Sequence, residues 1–153
     1  MSGAALTMSA PVTVDYDLPI MDAVRRGNFT EFSERRILSC TPFSNREGVA
    51  RVVVSFYQFE RCVSTEEVLR MLDEYGRRPA EFREVLAFCE SHRIHDEHPI
   101  VVLGGIERGA LCLSSHCGQG SGSFFIPQGQ QILCLENIDV EWRGRCLFAA
   151  VQK

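Results

Sequence analysis

Between Val63 and Ser91 the chain spells out two short amphipathic helices with start and stop signals, and the segments after them have strand character. Ser64 and Glu67 have capping-box spacing: the Ser64 hydroxyl can accept from the Glu67 amide while the Glu67 carboxylate accepts from the Ser64 amide. Val63 and Val68 stand at the two staple positions, and Val68, Met71, Leu72 and Tyr75 make one apolar stripe. Gly76 supplies the left-handed turn that stops this helix. Pro79 suits the first turn of a second helix, Glu81 and Glu84 its positive end, and Phe82, Val85, Leu86 and Cys89 its buried face. A helical pair followed by strands predicts a compact α+β domain in which the strands and their loops supply any binding surface.

The flanking segments are read by the same physics. Met1 to Pro11 is rich in Ser, Ala and Thr and lacks a period, so residues 1–14 are expected to be disordered or loosely attached, ahead of a single α+β domain over 15–153. From Asp17, the spacing of Leu18, Met21 and Val24 predicts a short helix capped by Asp17 and ended by Gly27. Thr41, Pro42, Ser44, Asn45 and Gly48 predict a loop. Val49 to Phe59 is β-branched and aromatic with both alternating sets largely apolar, which predicts a strand covered on both sides. Ile100 to Leu103, Ala110 to Leu113, Phe124 to Ile126, Gln130 to Leu135 and Cys146 to Val151 predict five short strands in a mostly antiparallel sheet.

With 153 residues, 45% of them hydrophobic, the chain is long enough to bury a sizeable core without staples. A net charge of -4 argues against nucleic acid, whose phosphates call for a dense positive field; the arginines are dispersed in pairs instead. No stretch reaches the ~20 apolar residues of a membrane span, and the first residues lack the charge and apolar run of a secretory signal. Seven cysteines, an odd number scattered through apolar runs, suit free thiols in a reducing cytoplasm.

Three constellations invite chemistry. Cys89, His92, His95 and His98 have the ligand types of zinc, yet steps of three on a helix each fall about 60° short of a turn, so they converge only if the helix breaks near Ser91. The alternative is a polar helix end. His116 beside Cys117 resembles a thiol with its base, although neighbours on a strand point to opposite faces. Asn137, Asp139 and Glu141 offer oxygens on one side of a strand, too few alone for calcium. Gly118, Gly120 and Gly122 have neither the Lys-Ser or Lys-Thr pair nor the strand-to-helix step of a phosphate loop, so they are read as a hairpin connection.

The run Gly76-Arg77-Arg78-Pro79-Ala80 with Glu84-Val85-Leu86-Ala87-Phe88, then Pro99 to Gly104, then Leu147 to Lys153, resembles a group of small uncharacterised bacterial proteins. More distantly, the order of strand, capped helix, second helix, short strands and a last apolar strand is similar to the C-type-lectin-like fold. The paired cysteines and calcium motifs of true lectins are missing, as is the catalytic cysteine context of formylglycine-generating enzymes, which share that fold.

The resemblance implies that the connections from Glu107 to Gln131 share one face above two short helices packed on a twisted sheet. Arg108, His116, Gln119 and Ser121 would be its polar contacts, Phe125 and Trp142 its aromatic ones, although Trp142, the only tryptophan, suits core or rim packing better than a ligand platform. The function expected is a cytoplasmic, non-catalytic module that binds a protein or small-molecule ligand, without cofactor, metal, nucleic acid or membrane, and able to form a homo-oligomer. The competing expectation is an enzyme using Cys117 or a metal at His92, His95 and His98.

Overall fold

The computed structural model of the 153-residue chain describes residues 3–29, 32–92, 98–106, 110–114, 132–136 and 141–153. In chain order the elements are β1 (Ala5–Asp15), α1 (Ile20–Arg26), α2 (Glu34–Ser39), β2 (Val49–Gln58), β3 (Val63–Ser64), α3 (Thr65–Glu74), β4 (Arg77–Pro79), α4 (Phe82–Ser91), β5 (Ile100–Val102), β6 (Ala110–Ser114), β7 (Ile132–Glu136), β8 (Glu141–Trp142) and β9 (Leu147–Gln152). The fold is mixed α+β, with four helices among the described residues and a mostly antiparallel sheet in the order β1-β2-β9-β5-β6-β7. Among the described strands only β5 and β9 pair in parallel; β4 joins β9 antiparallel, and β3 with β8 makes a separate two-stranded ladder.

The amino end corrects the expectation of a loose segment. Ala5–Asp15 is the longest strand among the described residues and pairs antiparallel with β2 along its length, from Ala5↔Gln58 to Asp15↔Val49. Its strand signal is an alternation of only three residues, Ala10, Val12 and Val14, which face the core while Pro11 and Thr13 stay exposed. Small polar neighbours hide that period from a reading of composition.

The sheet separates two apolar cores. On one face, Val12, Val14, Val54, Phe56, Val102 and Ala149 pack against Val24 of α1 and Val85, Leu86 and Phe88 of α4. On the other, Tyr57, Phe148, Ala150 and Val101 pack against Val68 and Leu72 of α3 and Trp142 of β8. The period-two alternation of β9 feeds both cores, and burying five consecutive side chains there explains its unbroken Leu-Phe-Ala-Ala-Val run. In β2 the two-sided cover expected over its whole length begins only at Val54; Val49 and Val53 remain 66% and 48% exposed.

Local signals explain the helices. The Ser64–Glu67 capping box opens α3, and Gly76, at φ 72°, follows its end. The second helix starts later than Pro79 suggests. Arg77–Pro79 instead pairs with β9 as β4, and α4 begins after Glu81, whose carboxylate and that of Glu84 exchange bonds with each other's backbone amides. The sheet edge supplied by β9 outweighs the helical preference of Pro79 for a first turn. The first helix likewise starts at Ile20 behind Pro19, while the Asp17 carboxylate accepts from the Gly48 amide instead of capping it. Short α2, capped by Ser33, was not legible as a helix because only Ile37 of its six residues is buried.

No helix among the described residues is long and apolar enough to cross a membrane.

Candidate functional site

The site is built on the amino end of α4. Glu84 lies in the first turn of that helix, and its side chain is wholly buried beneath β1 and β4. A buried carboxylate is costly unless its lone pairs are filled, and here they are. Arg78 on β4 donates from Nη1 to Oε1 at 2.9 Å and from Nη2 to Oε2 at 2.7 Å. The Tyr16 hydroxyl donates to Oε2 at 2.6 Å, and the Glu81 amide to Oε1 at 2.7 Å. Burial pushes the Glu84 carboxyl up, but the bonds from Arg78, Tyr16 and the Glu81 amide outweigh it and hold the group below the usual carboxylate range. Burial, then the bond to Glu84, pushes the Tyr16 phenol well up, so it stays a donor. The bond to Glu84 also raises Arg78, against the opposing effect of its burial.

From this buried pair the network reaches the surface. Arg46, on the loop after α2, donates from Nε to Oε2 of Glu81 at 3.1 Å, and Arg78 Nη1 stands 3.9 Å from the same oxygen. Phe43, Asn45, Arg46, Arg78, Pro79, Glu81 and Gly105 line a groove of about 460 Å³. Arg78 and Glu81 are nearly covered; Phe43 and Arg46 are close to half exposed. The arrangement is therefore a fixed charged base under an accessible rim of one ring, one amide and one guanidinium.

Backbone geometry holds that rim in place. The Phe43 amide donates to the Gly105 carbonyl at 2.8 Å, and Pro42 bridges Ile106. Reaching this position requires Thr41 to adopt φ 51°, a left-handed conformation that costs a residue other than glycine about 1–2 kcal/mol. Gly105, at φ 68°, meets the loop from the other side, where an added Cβ would stand 3.1 Å from the Phe43 carbonyl oxygen and the Phe82 amide nitrogen. Among the described residues the buried Nε of Arg78, at the same site, has no hydrogen-bond partner.

The residues singled out from the sequence are distributed differently. Arg108, His116, Gln119, Ser121 and Phe125 lie outside the described residues, as do His95, Cys117, Asn137 and Asp139. The registers Val102↔Leu111 and Ser114↔Ile132 fix where their connections begin. The face expected to be formed by the connections between Glu107 and Gln131 rests on residues 107–109 and 115–131, which lie outside the described residues.

Trp142 does not reach the surface. It is completely buried, its ring edge-on to Phe148 and its indole N–H donated to Thr65 Oγ1 at 2.9 Å, which makes it a packing residue. His92 stacks on Phe88 with ring centroids 4.4 Å apart, and His98 Nδ1 is 3.1 Å from the Arg145 carbonyl. Cys89 is buried and its thiol pushed up to about 12 by that burial. Among the described residues no group of three or more His, Cys, Asp or Glu side chains is placed to hold a metal.

Sequence reasoning missed Arg46 and Tyr16 as site residues. Each lies far from Glu81 and Glu84 in the chain, and no local spacing connects them. The Pro-Ala-Glu-Phe-Arg-Glu run did carry a signal, because glutamates three apart form a capping box and the second must then be turned toward the helix start.

Comparison with protein-family models, curated proteins and solved structures gave no match to this chain.

Proposed function

We propose that the protein is a non-catalytic binding module whose ligand seats in the groove between the Phe43–Arg46 loop and the amino end of α4. The observation that carries this reading is the saturation of the groove's base: Glu84 accepts four hydrogen bonds and is held ionised, and Glu81 is engaged by Arg46. General acid–base work needs a group that exchanges protons near the operating pH; this network instead presents charges whose positions are set before the ligand arrives, which lowers the cost of binding.

Arg46 uses only Nε within the network among the described residues, leaving its two terminal nitrogens for an oxygen-bearing ligand. Phe43 offers a flat apolar surface beside it, and Asn45 an amide. A small carboxylate carrying an aromatic ring combines these features, and a protein side chain or terminus of the same chemistry fits equally well. The C-type-lectin-like topology remains part of the proposal, supported by the mixed α+β layout and mostly antiparallel sheet. A cytoplasmic setting is supported by four free cysteines among the described residues.

Titration with benzoate, followed by backbone amide NMR, tests the reading. Saturable shifts confined to residues 43–46, 81 and 105, lost in Phe43→Ala and Arg46→Gln, are the expected result. Shifts that never saturate, or that survive both substitutions, reject the groove as the site.

A further inference from the structure

A second cleft, of about 270 Å³, lies where the edge of β1 that is free among the described residues meets α1 and α4. Leu18, Ala23, Leu86 and Ala87 supply its apolar lining, while Asp15, Arg26, Arg83 and Glu90 add two charges of each sign. Among the described residues none of these four charged side chains belongs to an ion pair. Arg83 donates from Nε to the Leu18 carbonyl at 3.2 Å, which anchors it beside the strand end that follows Asp15. Glu90 lies seven residues, or about 10 Å, further along the same side of α4.

The strand edge contributes backbone groups. The Tyr16 amide donates to the Gly48 carbonyl, so in the antiparallel register the even-numbered residues of β1 are turned toward β2. The amides and carbonyls of Thr13 and Asp15 are therefore turned to the free edge, where both residues line the cleft. A full peptide strand finds little to pair with. Pro11 has no N–H to offer, and the Asp15 carbonyl already accepts from the Leu18 amide at 3.3 Å. What remains is the Thr13 pair and the Asp15 amide. In a parallel ladder the Thr13 carbonyl and the Asp15 amide flank a single facing residue, accepting from its nitrogen and donating to its carboxyl oxygen.

We infer that this cleft binds one free α-amino acid with an apolar side chain. Its ammonium donates to the Thr13 carbonyl with Glu90 as counter-charge, its carboxylate accepts from the Asp15 amide with Arg83 and Arg26 nearby, and its side chain lies against Leu86 and Ala23. The small volume, below the roughly 300–1,000 Å³ of drug-sized sites, matches a ligand of that size.

The test uses L-leucine as probe with two single-charge analogues, isopentylamine and 4-methylpentanoate, followed by calorimetry and by the amide resonances of Thr13 and Asp15. Leucine is expected to shift both resonances saturably, with each analogue weaker by about tenfold or more, the loss of one charge-assisted contact. Arg26→Gln and Glu90→Gln, both at exposed positions, should each weaken leucine by about tenfold, whereas Arg46→Gln should leave it unchanged. Absence of a localised shift, equal binding of either analogue, or indifference to both cleft substitutions overturns the inference, whatever the outcome at the benzoate groove.

Discussion

The phenol of Tyr16 donates to Oε2 of Glu84 at 2.6 Å across 68 residues of chain, joining the end of β1 to the first turn of α4. The bond fastens the edge strand to the helix that carries the groove, and it shares its acceptor oxygen with the Arg78 guanidinium. Removing the hydroxyl leaves a buried carboxylate short of one donor. Tyr16→Phe is therefore expected to lower unfolding free energy by about 1.5–3 kcal/mol, the range for hydrogen bonds to charged groups, read as a lower denaturant midpoint at unchanged slope. A change below ~0.5 kcal/mol would show that Arg78 and the Glu81 amide suffice without it.

The same carboxylate makes the protein sensitive to acid. Because the Glu84 pKa is depressed in the folded state, its stabilisation is fully present above the unfolded value of about 4.3 and is lost as pH falls through the folded value. Stability measured by urea unfolding should thus fall steeply below about pH 4. Glu84→Gln should flatten this dependence. At neutral pH the same change should cost about 1–3 kcal/mol, since an amide cannot accept all four bonds that the carboxylate takes, while Glu81, 3.9 Å away, still faces the Arg78 charge. Glu67, lowered by its bond to Arg61 and then by the Ser64 amide, acts in the same direction, but it is solvent-screened, so added salt should remove its part and spare that of Glu84.

Much of this architecture was legible where the signal is local. The Ser64–Glu67 box and Gly76 mark α3 because capping is decided within one turn of chain. Pro79 misled because its fate is settled by Ala150 across the sheet, a contact no window around Pro79 contains. The Ser- and Thr-rich start became a strand for a similar reason: Val52 and Val54 of β2 give Ala10 and Val12 something to pair with. At the site, the capping glutamates were visible as charges favouring a helix start, but Tyr16 and Arg46 were not, since buried networks are assembled from distant segments.

Thiol chemistry should report the burial pattern directly. Cys62 is exposed, whereas Cys40, Cys89 and Cys146 are buried, and burial pushes all three of those thiols upward. Reaction requires the thiolate and access to it. Alkylation of the native protein at pH 8, stopped at intervals and mapped by mass spectrometry, should therefore modify Cys62 well before the three buried sites. Early modification of Cys89 would contradict the packing of α4 against the sheet. The same raised values predict that stability declines as pH rises beyond about 8.5, because the unfolded thiols ionise there and the folded ones do not.

Gly104 ties the groove to the sheet, and its substitution separates backbone packing from side-chain chemistry. A Cβ at this position would stand 2.6 Å from the Ala80 carbonyl oxygen and 2.7 Å from that of Pro79, atoms that cannot swing aside as a flexible side chain can. The Phe82 amide donates to the Gly104 carbonyl at 3.2 Å, and Glu81 bridges Gly104, so a displaced Gly104 also disturbs the amino end of α4. Gly104→Ala should cost about 1–3 kcal/mol, the range for overpacking. It should also weaken benzoate binding without altering any charge. Gly144→Ala is the matched control: its nearest backbone neighbours stand at 3.3 Å, a separation relieved by a shift of a few tenths of an ångström. Thermal unfolding of the two variants should rank Gly104→Ala clearly below Gly144→Ala. The reverse order would mean that β5 and the start of α4 are not held as closely as the Gly104 contacts require.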